Sequence, residues 1–264
     1  MSDHNKVLVE VQDHIAWVYL NRPEKLNGLD LDMFHGLVAA AKKIRKDRSV
    51  RAVILAAKGE SFSAGLDFKA VSKNPSMIPK LFLKFPWTKM NLAQRIAHIW
   101  RDLPVPVICA IHGNCFGGGM QIALAADYRI ATPDANLCIM EMKWGLVPDM
   151  GGYALWRGLV RDDVLRELTY TNRIFNGTEA QEMGFATHVS DNPLDDAMAL
   201  AKQIALKNPD AIKASKRIFN SMQDATDAEL LMAESVEQDK IIRTPNQMEA
   251  VFAEMQKRKP AFTD

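Results

Sequence analysis

Residues 112–127 have the sequence HGNCFGGGMQIALAAD, and this stretch decides the fold. The apolar run Val105–Ile111 precedes it and predicts a buried strand, and the segment Met120–Ala126 predicts a short helix. A strand, a glycine turn and a helix start leave free backbone N–H groups at the positive end of the helix dipole, where an anion or a developing oxyanion can bind. A tight turn that binds no ligand explains the same residues, so this stretch alone does not decide between the two.

Length and composition indicate a globular protein. The chain has 264 residues, enough for one large domain, with 48% hydrophobic and 25% charged residues. A formal net charge of +1 argues against bulk attraction to nucleic acid or to an anionic membrane. The polar start of the chain and the absence of an apolar run near about 20 residues lead us to expect a cytoplasmic protein. The three cysteines are expected to be buried thiols, and we expect no metal site.

The first half of the chain predicts an α/β order of elements. A second loop of small residues, 58–67, follows a buried strand in the same way as the glycine stretch does. Residues 68–90 carry several prolines and are predicted to be irregular. The predicted strands are 7–11, 15–20, 51–57, 105–111, 128–131 and 137–140, and the predicted helices are 31–46 and 91–101.

Beyond Asp149 the pattern is mostly helical. Helices are predicted at 151–160, 162–170 and 178–184, followed by a short strand at 185–189. Asp191–Pro193 marks a boundary, so we expect a core of residues 1–192 and a C-terminal helical region of residues 193–264. Such a region packs either on a partner subunit or on its own core.

Several motifs together carry a resemblance to a known family. The chain resembles the enoyl-CoA hydratase/isomerase (crotonase) superfamily nearly end to end. The resemblance implies a ββα superhelix core, a C-terminal helical part that builds homotrimers or hexamers, and an acyl-CoA thioester substrate. Coenzyme A then enters as part of the substrate, and no separate cofactor is implied. The matching segments are Leu20–Pro23, Phe62–Asp67, Gly113–Gly119, Glu141 with Gly145–Pro148, and Lys257–Lys259.

The positions that form the oxyanion hole in this family match residues in the two loops. The resemblance implies that the backbone N–H groups of Ala64 and Gly118 hold the thioester oxygen while negative charge grows on it. This agrees with the residues themselves, because the loops are the two places where backbone can face a ligand. One such donor is typically worth about 3 to 4 kcal/mol in the transition state.

Glu141 and Gln121 stand where the hydratases of this family place two glutamates that hold a water. A glutamine neither takes nor gives a proton at neutral pH, which argues against simple hydration. Gln121 therefore either orients a water or a substrate, or is a polar residue on the solvent-facing side of its helix.

Asp149 matches a catalytic aspartate of dienoyl-CoA isomerase-like members, and also the nucleophilic aspartate of aromatic acyl-CoA dehalogenases. The alternative is a capping aspartate for a helix that starts near Met150. With Glu141 it would form a pair of carboxylates, the minimum for moving a proton along a conjugated chain. Burial in an acyl pocket would raise the pKa of such carboxyls.

We therefore expect an acyl-CoA double-bond isomerase that uses Glu141 and Asp149. One alternative is an enoyl-CoA hydratase that uses Glu141 and a water held by Gln121. A second is a catalytically weak acyl-CoA-binding protein, and a dehalogenase or thioesterase route through Asp149 is more remote.

Lys257 and Lys69 are candidates for contacts to the phosphates of coenzyme A. Lys257 lies where the family often supplies a basic contact from its C-terminal helix, and Lys69 follows the first loop. Solvated lysines on helix ends explain both positions equally well.

Overall fold

The computed structural model describes residues 5–84 and 86–264, and its main sheet carries the predicted α/β order. Its first two strands pair antiparallel, and every following pair of neighbours in the sheet is parallel. The strands are, in spatial order, β1 (Val7–Gln12), β2 (Ile15–Leu20), β3 (Ala52–Ala57), β4 (Val107–Ile111), β6 (Tyr128–Ala131) and β9 (His188–Val189).

The two central strands are buried on both faces, as their unbroken apolar sequences predict. Every residue of β3 and of β4 is buried. Helices α1 (Leu31–Lys46) and α4 (Leu92–Arg101) belong to the larger core on one face, and α9 (Pro193–Ala205) packs on the other. Helices on both faces are the usual arrangement around parallel strands.

A second, smaller sheet holds the glycine stretch in place. In it β5 (Asn114–Phe116) pairs parallel with β7 (Asn136–Cys138), which pairs antiparallel with β8 (Phe175–Asn176). The sequence did not predict β5, because three residues between two glycines show no period. This strand fixes the chain immediately before α5 (Gly118–Leu124).

Residues 68–90 were predicted to be irregular, and this prediction is wrong for two segments. They form the helices α2 (Phe68–Lys73) and α3 (Met77–Phe82). Each is only six residues long, too short for periodicity to appear among the prolines. The side chain of Asp67 caps α2 by accepting the N–H of Ala70.

The helix predicted at 151–160 is also wrong in its extent. Helix α6 covers only Gly152–Trp156, because Arg157 is extended and Gly158 has a φ of +78°. The strand predicted at 185–189 shrinks to β9. The remaining helices are α7 (Asp162–Thr171), α8 (Gly177–Met183), α10 (Pro209–Ser221), α11 (Asp227–Ile241) and α12 (Pro245–Met255).

The C-terminal helices differ in how much of their surface they bury. Helix α9 contributes Ala197 and Ala201 to the core beneath the sheet. Helix α11 has no buried residue, and α11 and α12 expose large apolar side chains to solvent. The division of the chain at residue 192 stays a prediction. Among the helices of the described residues, none is both long and apolar enough to cross a membrane.

Candidate active site

Two loops meet at one edge of the main sheet. Because β3 and β4 are parallel neighbours, the loops that follow them, 58–67 and 112–117, emerge side by side. Backbone hydrogen bonds join the loops: Ser63 donates to Asn114 and Phe116 donates to Ser63, both at 2.9 Å. The predicted meeting of the small-residue loop and the glycine loop is therefore observed.

Two glycines allow this close approach. Gly65 has a φ of +83°, and a Cβ there would lie 2.8 Å from the carbonyl oxygen of Phe116 and 3.4 Å from the nitrogen of Gly118. Gly117 has a φ of +47°, and a Cβ there would lie 3.4 Å from Oε1 of Glu141. Side chains at these positions would be strained and crowded, so glycine brings the backbone of both loops to the same place.

The prediction that Ala64 donates its N–H to a ligand is wrong. That N–H already donates to the carbonyl oxygen of Leu26 at 2.9 Å. The N–H of Leu66, two residues later, has no acceptor among the described residues. The N–H of Gly118 opens α5 and is likewise without an acceptor in the part of the chain that the structure describes. Leu66 and Gly118, which line the same pocket, therefore each present a free backbone donor there.

Glu141 starts a short 3₁₀ turn, Glu141–Trp144, and its carboxyl group is buried. Its Oε1 accepts a hydrogen bond from Nε2 of Gln121 at 2.6 Å. Its Oε2 is buried and has no hydrogen-bond partner among the described residues. Burial raises the pKa of Glu141, and the nearby charge of Asp149 raises it further. A buried carboxyl oxygen left open in this way is suited to take a proton from a bound substrate.

Gln121 lies behind Glu141 rather than on a solvent-facing side, so that interpretation is wrong. Its side chain is 1% exposed, and its Oε1 accepts the N–H groups of Met150 and Gly152, each at 2.9 Å. Gln121 is absent from the residues that line the adjacent pocket. Both ends of its amide are thus occupied by protein groups, which argues against a water held by this residue.

Asp149 lies in the loop before α6 and lines the same pocket as Glu141. It does not cap this helix, because the N-cap residue is Gly151 and no side chain caps it. The alternative of a capping aspartate is therefore wrong. Burial raises the pKa of Asp149, as expected for a carboxyl in an apolar pocket.

One pocket brings most of these groups together. Gly118, Glu141 and Asp149 all line it, and its other walls are largely apolar. The rings of Phe68 and Trp144 stack with centroids 4.1 Å apart and join the first loop to the Glu141 turn. The remaining lining residues are Phe34, Ala64, Gly65, Leu66, Leu81, Phe82, Ala93, Gly117, Met140, Leu146 and Met150.

The two candidate lysines are placed differently. Lys69 is exposed on α2, next to the pocket residue Phe68. Lys257 is exposed after α12 and does not line the pocket. The tail beyond it ends at Asp264, which binds Arg51 at the start of β3, whereas the site lies beyond the other end of that strand. The structure does not bring Lys257 to this site within one chain.

The cysteines are buried thiols. Cys109, Cys115 and Cys138 are buried free thiols, and burial raises the pKa of Cys138 to about 11. Among residues 5–84 and 86–264, no group of three or more His, Cys, Asp or Glu side chains is arranged to hold a metal ion.

Comparison with known proteins defines the class. Solved structures with the crotonase fold superpose on nearly the whole chain, so the predicted ββα core is confirmed. Residues 10–264 match the family model for enoyl-CoA hydratase/isomerase. The chain belongs to the enoyl-CoA hydratase/isomerase family, whose members act on acyl-CoA thioesters.

The names of similar proteins describe two different activities, isomerase and hydratase. The chain is 32% identical to the mitochondrial Delta(3,5)-Delta(2,4)-dienoyl-CoA isomerase of Mus musculus, over 98% of this chain and 82% of that one. It is 34% identical to "Probable enoyl-CoA hydratase EchA12" of Mycobacterium tuberculosis, over 98% and 93%. A solved enoyl-CoA hydratase from Bacillus anthracis superposes with a TM-score of 0.90 at 27% identity, covering 97% of this chain and 98% of that one.

Proposed function

We propose that this enzyme is an acyl-CoA double-bond isomerase that acts on 3-enoyl- or 3,5-dienoyl-CoA thioesters. One observation carries the proposal. A buried carboxyl group, Glu141, and a half-buried one, Asp149, line one pocket with the free N–H of Gly118, while position 121 holds an amide and not a second water-activating carboxylate.

The mechanism follows from the order of groups along the pocket. The N–H groups of Leu66 and Gly118 hold the thioester oxygen. Glu141 lies against the glycine loop, near Gly117, and so next to C2 of the acyl group. Its Oε2 removes a C2 proton, and the electron pair delocalises into a dienolate whose charge rests on the held oxygen. Asp149, protonated, then delivers a proton further along the chain, and the double bonds shift.

The raised pKa values support these two roles. Burial makes Glu141 a stronger base once ionised and lets Asp149 keep a proton to higher pH than an exposed aspartate does. When Asp149 is ionised, its charge adds to the effect of burial and raises the pKa of Glu141 further.

Glu141→Gln tests this proposal, since a glutamine keeps the shape but cannot accept the proton. We expect the rate of conversion of a 3,5-dienoyl-CoA to the 2,4-isomer, followed by absorbance, to fall by about 10³-fold. The exposed Glu182→Gln on α8 is the matched control and should keep the wild-type rate. An unchanged rate in Glu141→Gln would contradict the assignment.

An enoyl-CoA hydratase is the second candidate, favoured by the names of several relatives. In that case the wild type would hydrate crotonyl-CoA at a substantial rate, and Gln121→Glu would raise this rate by restoring a second carboxylate. Tight binding of acyl-CoA thioesters without turnover of either substrate would instead support an acyl-CoA-binding role. A covalent acyl adduct on Asp149, sought by mass spectrometry, would support the dehalogenase or thioesterase route.

The remaining parts of the proposal concern binding and assembly. Lys69 is proposed to contact the phosphates of coenzyme A, and coenzyme A arrives as part of the substrate without a further cofactor or metal. Assembly into a homotrimer or hexamer is supported by the apolar side chains that α11 and α12 expose. The cytoplasm is proposed as the location of the enzyme. Sedimentation of the purified protein as a monomer at micromolar concentration would contradict this assembly.

A further inference from the structure

The amide of Gln121 joins three segments of the site. Its Oε1 accepts two backbone N–H groups, from Met150 and Gly152, in the loop that carries Asp149. Two donors pointing at one terminal atom require that atom to be oxygen, so the other atom is the NH₂ group. That group donates to Oε1 of Glu141 at 2.6 Å. Helix α5 is thus connected through one side chain to both proposed proton-transfer residues.

This arrangement makes the two oxygens of Glu141 unequal. Oε1 accepts the amide hydrogen, and protonation of that oxygen would weaken the hydrogen bond because a hydroxyl oxygen is a poorer acceptor than a carboxylate oxygen. Oε2 has no partner among the described residues and is the oxygen left to take a proton. Because Gln121 is 1% exposed and does not line the pocket, it acts on Glu141 and not on the substrate.

We propose that Gln121 is a positioning residue that reserves Oε2 of Glu141 for proton transfer and holds the Asp149 loop at a fixed place beside it. The inference rests on the proposed function, because it takes Glu141 as the base. It differs from a water-binding role, since Gln121 does not line the pocket and its amide oxygen already accepts two backbone N–H groups.

A carboxyl group at position 121 would behave differently from the amide. It could still accept the N–H groups of Met150 and Gly152, but it could donate to Glu141 only while protonated. Two carboxyl groups at this distance share one proton over a range of pH and lose it at higher pH. The amide therefore keeps the donor in place at every pH at which the enzyme works.

Other ionisable groups surround this pair on the elements packed against α5. Asp149 raises the pKa of Glu141, and Cys138 on β7 and Lys143 in the 3₁₀ turn lie nearby. Helix α4 carries Arg95, His98 and Arg101; His98 pairs with Asp102, and Arg101 donates to the carbonyl oxygens of Ala154 and Asn220. All of these remain when position 121 is changed, so a change in pH profile reports position 121 itself.

The test measures only the removal of a C2 proton by Glu141. Exchange of the C2 hydrogens of butanoyl-CoA with D₂O, followed by NMR, needs a base and the held thioester oxygen but no delivery of a proton along a chain. The variants are Gln121→Met, which removes donor and acceptor, and Gln121→Glu, which keeps the acceptor. Met120→Leu, a buried neighbour on α5 outside the pocket, is the matched control. Thermal unfolding and circular dichroism verify that each variant folds.

We expect Gln121→Met to lower the plateau exchange rate by about 10- to 100-fold, since a hydrogen bond to a charged group is lost. The acid limb of the exchange rate of this variant, plotted against pH, should move to higher pH. KM should stay within about twofold of the wild-type value because the residue does not touch substrate. Gln121→Glu should stay within about tenfold of wild type at low pH and show a new alkaline limb. Met120→Leu should match the wild type.

Three results would overturn the inference. One is a parallel fall in rate at all pH values, which indicates a merely structural role. The second is a rise in KM as large as the fall in rate, which indicates contact with substrate. The third is a gain of crotonyl-CoA hydration in Gln121→Glu, which places position 121 at a water site. Wild-type exchange in Glu141→Gln would instead refute the proposed function, so the two failures are distinguishable.

Discussion

Two buried ionisable side chains of this protein, Lys216 and Glu141, differ in the partners that surround them. Lys216 on α10 is 5% exposed, and its Nζ donates to the carbonyl oxygen of Val105 at 2.8 Å and to Asp127 at 2.7 Å. Glu141 is 9% exposed, yet among residues 5–84 and 86–264 only one of its oxygens has a hydrogen-bond partner, the neutral amide of Gln121. The charge of Lys216 is compensated, whereas that of Glu141 is not.

This difference separates a structural charge from a reactive one. Burial lowers the pKa of Lys216, but the charge and hydrogen bond of Asp127 act in the opposite direction, so the paired ammonium holds segments together. A buried carboxyl with one open oxygen is destabilised when ionised, and its pKa rises. Loss of the lysine should therefore cost stability, and loss of the glutamate should cost activity.

The largest expected effect on stability comes from Lys216→Met. Removing the ammonium leaves the carbonyl group of Val105 without its partner and leaves Asp127 with the N–H of Val107 alone, so we expect a loss of about 3 kcal/mol in the free energy of unfolding. Urea denaturation measures it, and the activity of the folded variant should stay within about twofold of wild type. Lys240→Met, in an exposed pair with Glu237, should cost less than about 1 kcal/mol. Equal losses of unfolding free energy in Lys216→Met and Lys240→Met would contradict the structural role given to Lys216.

Asp149→Asn should have the next largest effect, this time on catalysis. The variant loses the proposed proton donor, and we expect the isomerisation rate to fall by about 10²-fold. Ionisation of Asp149 removes this donor in the wild type, so the variant should also lose the alkaline limb of the kcat/KM profile. A variant that keeps the wild-type alkaline limb would indicate that Asp149 is not the proton donor.

The smallest expected effect is a gain in stability in Glu141→Gln. Burial raises the pKa of Glu141 in the folded protein above its ordinary value of 4.5, so the folded state binds that proton more tightly than the unfolded state. Stability therefore falls as pH rises from about 4.5 through the raised pKa. At neutral pH the variant should be more stable by about 1 kcal/mol, with a shallower dependence on pH. A less stable variant at pH 7 would show that the charge of Glu141 is compensated after all.

Much of this site follows from the sequence, because its parts are local. The apolar strands β3 and β4, the loops that follow them and the spacing from Glu141 to Asp149 all appear in the chain without knowledge of the fold. Parallel pairing of the two strands then brings the loops together. The family resemblance added the thioester chemistry to these positions.

The choice of N–H donor could not be predicted, because it depends on a distant carbonyl group. Leu26 lies in a left-handed turn with a φ of +48°, and this turn directs its oxygen at the N–H of Ala64. The signal for Leu66 was its place directly after Gly65, a glycine with a positive φ in the small-residue loop. The orientation of Gln121 depends in the same way on Met150 and Gly152, about 30 positions later in the chain.

The three cysteines of this chain can serve as probes of local unfolding. Cys109 lies in β4, Cys115 precedes the glycine turn and Cys138 ends β7, and every sulfur is buried with a raised thiol pKa. Since alkylating reagents attack exposed thiolates, the intact enzyme should resist iodoacetamide. The rate at which iodoacetamide modifies these thiols would then measure how often the strands beneath the active site open.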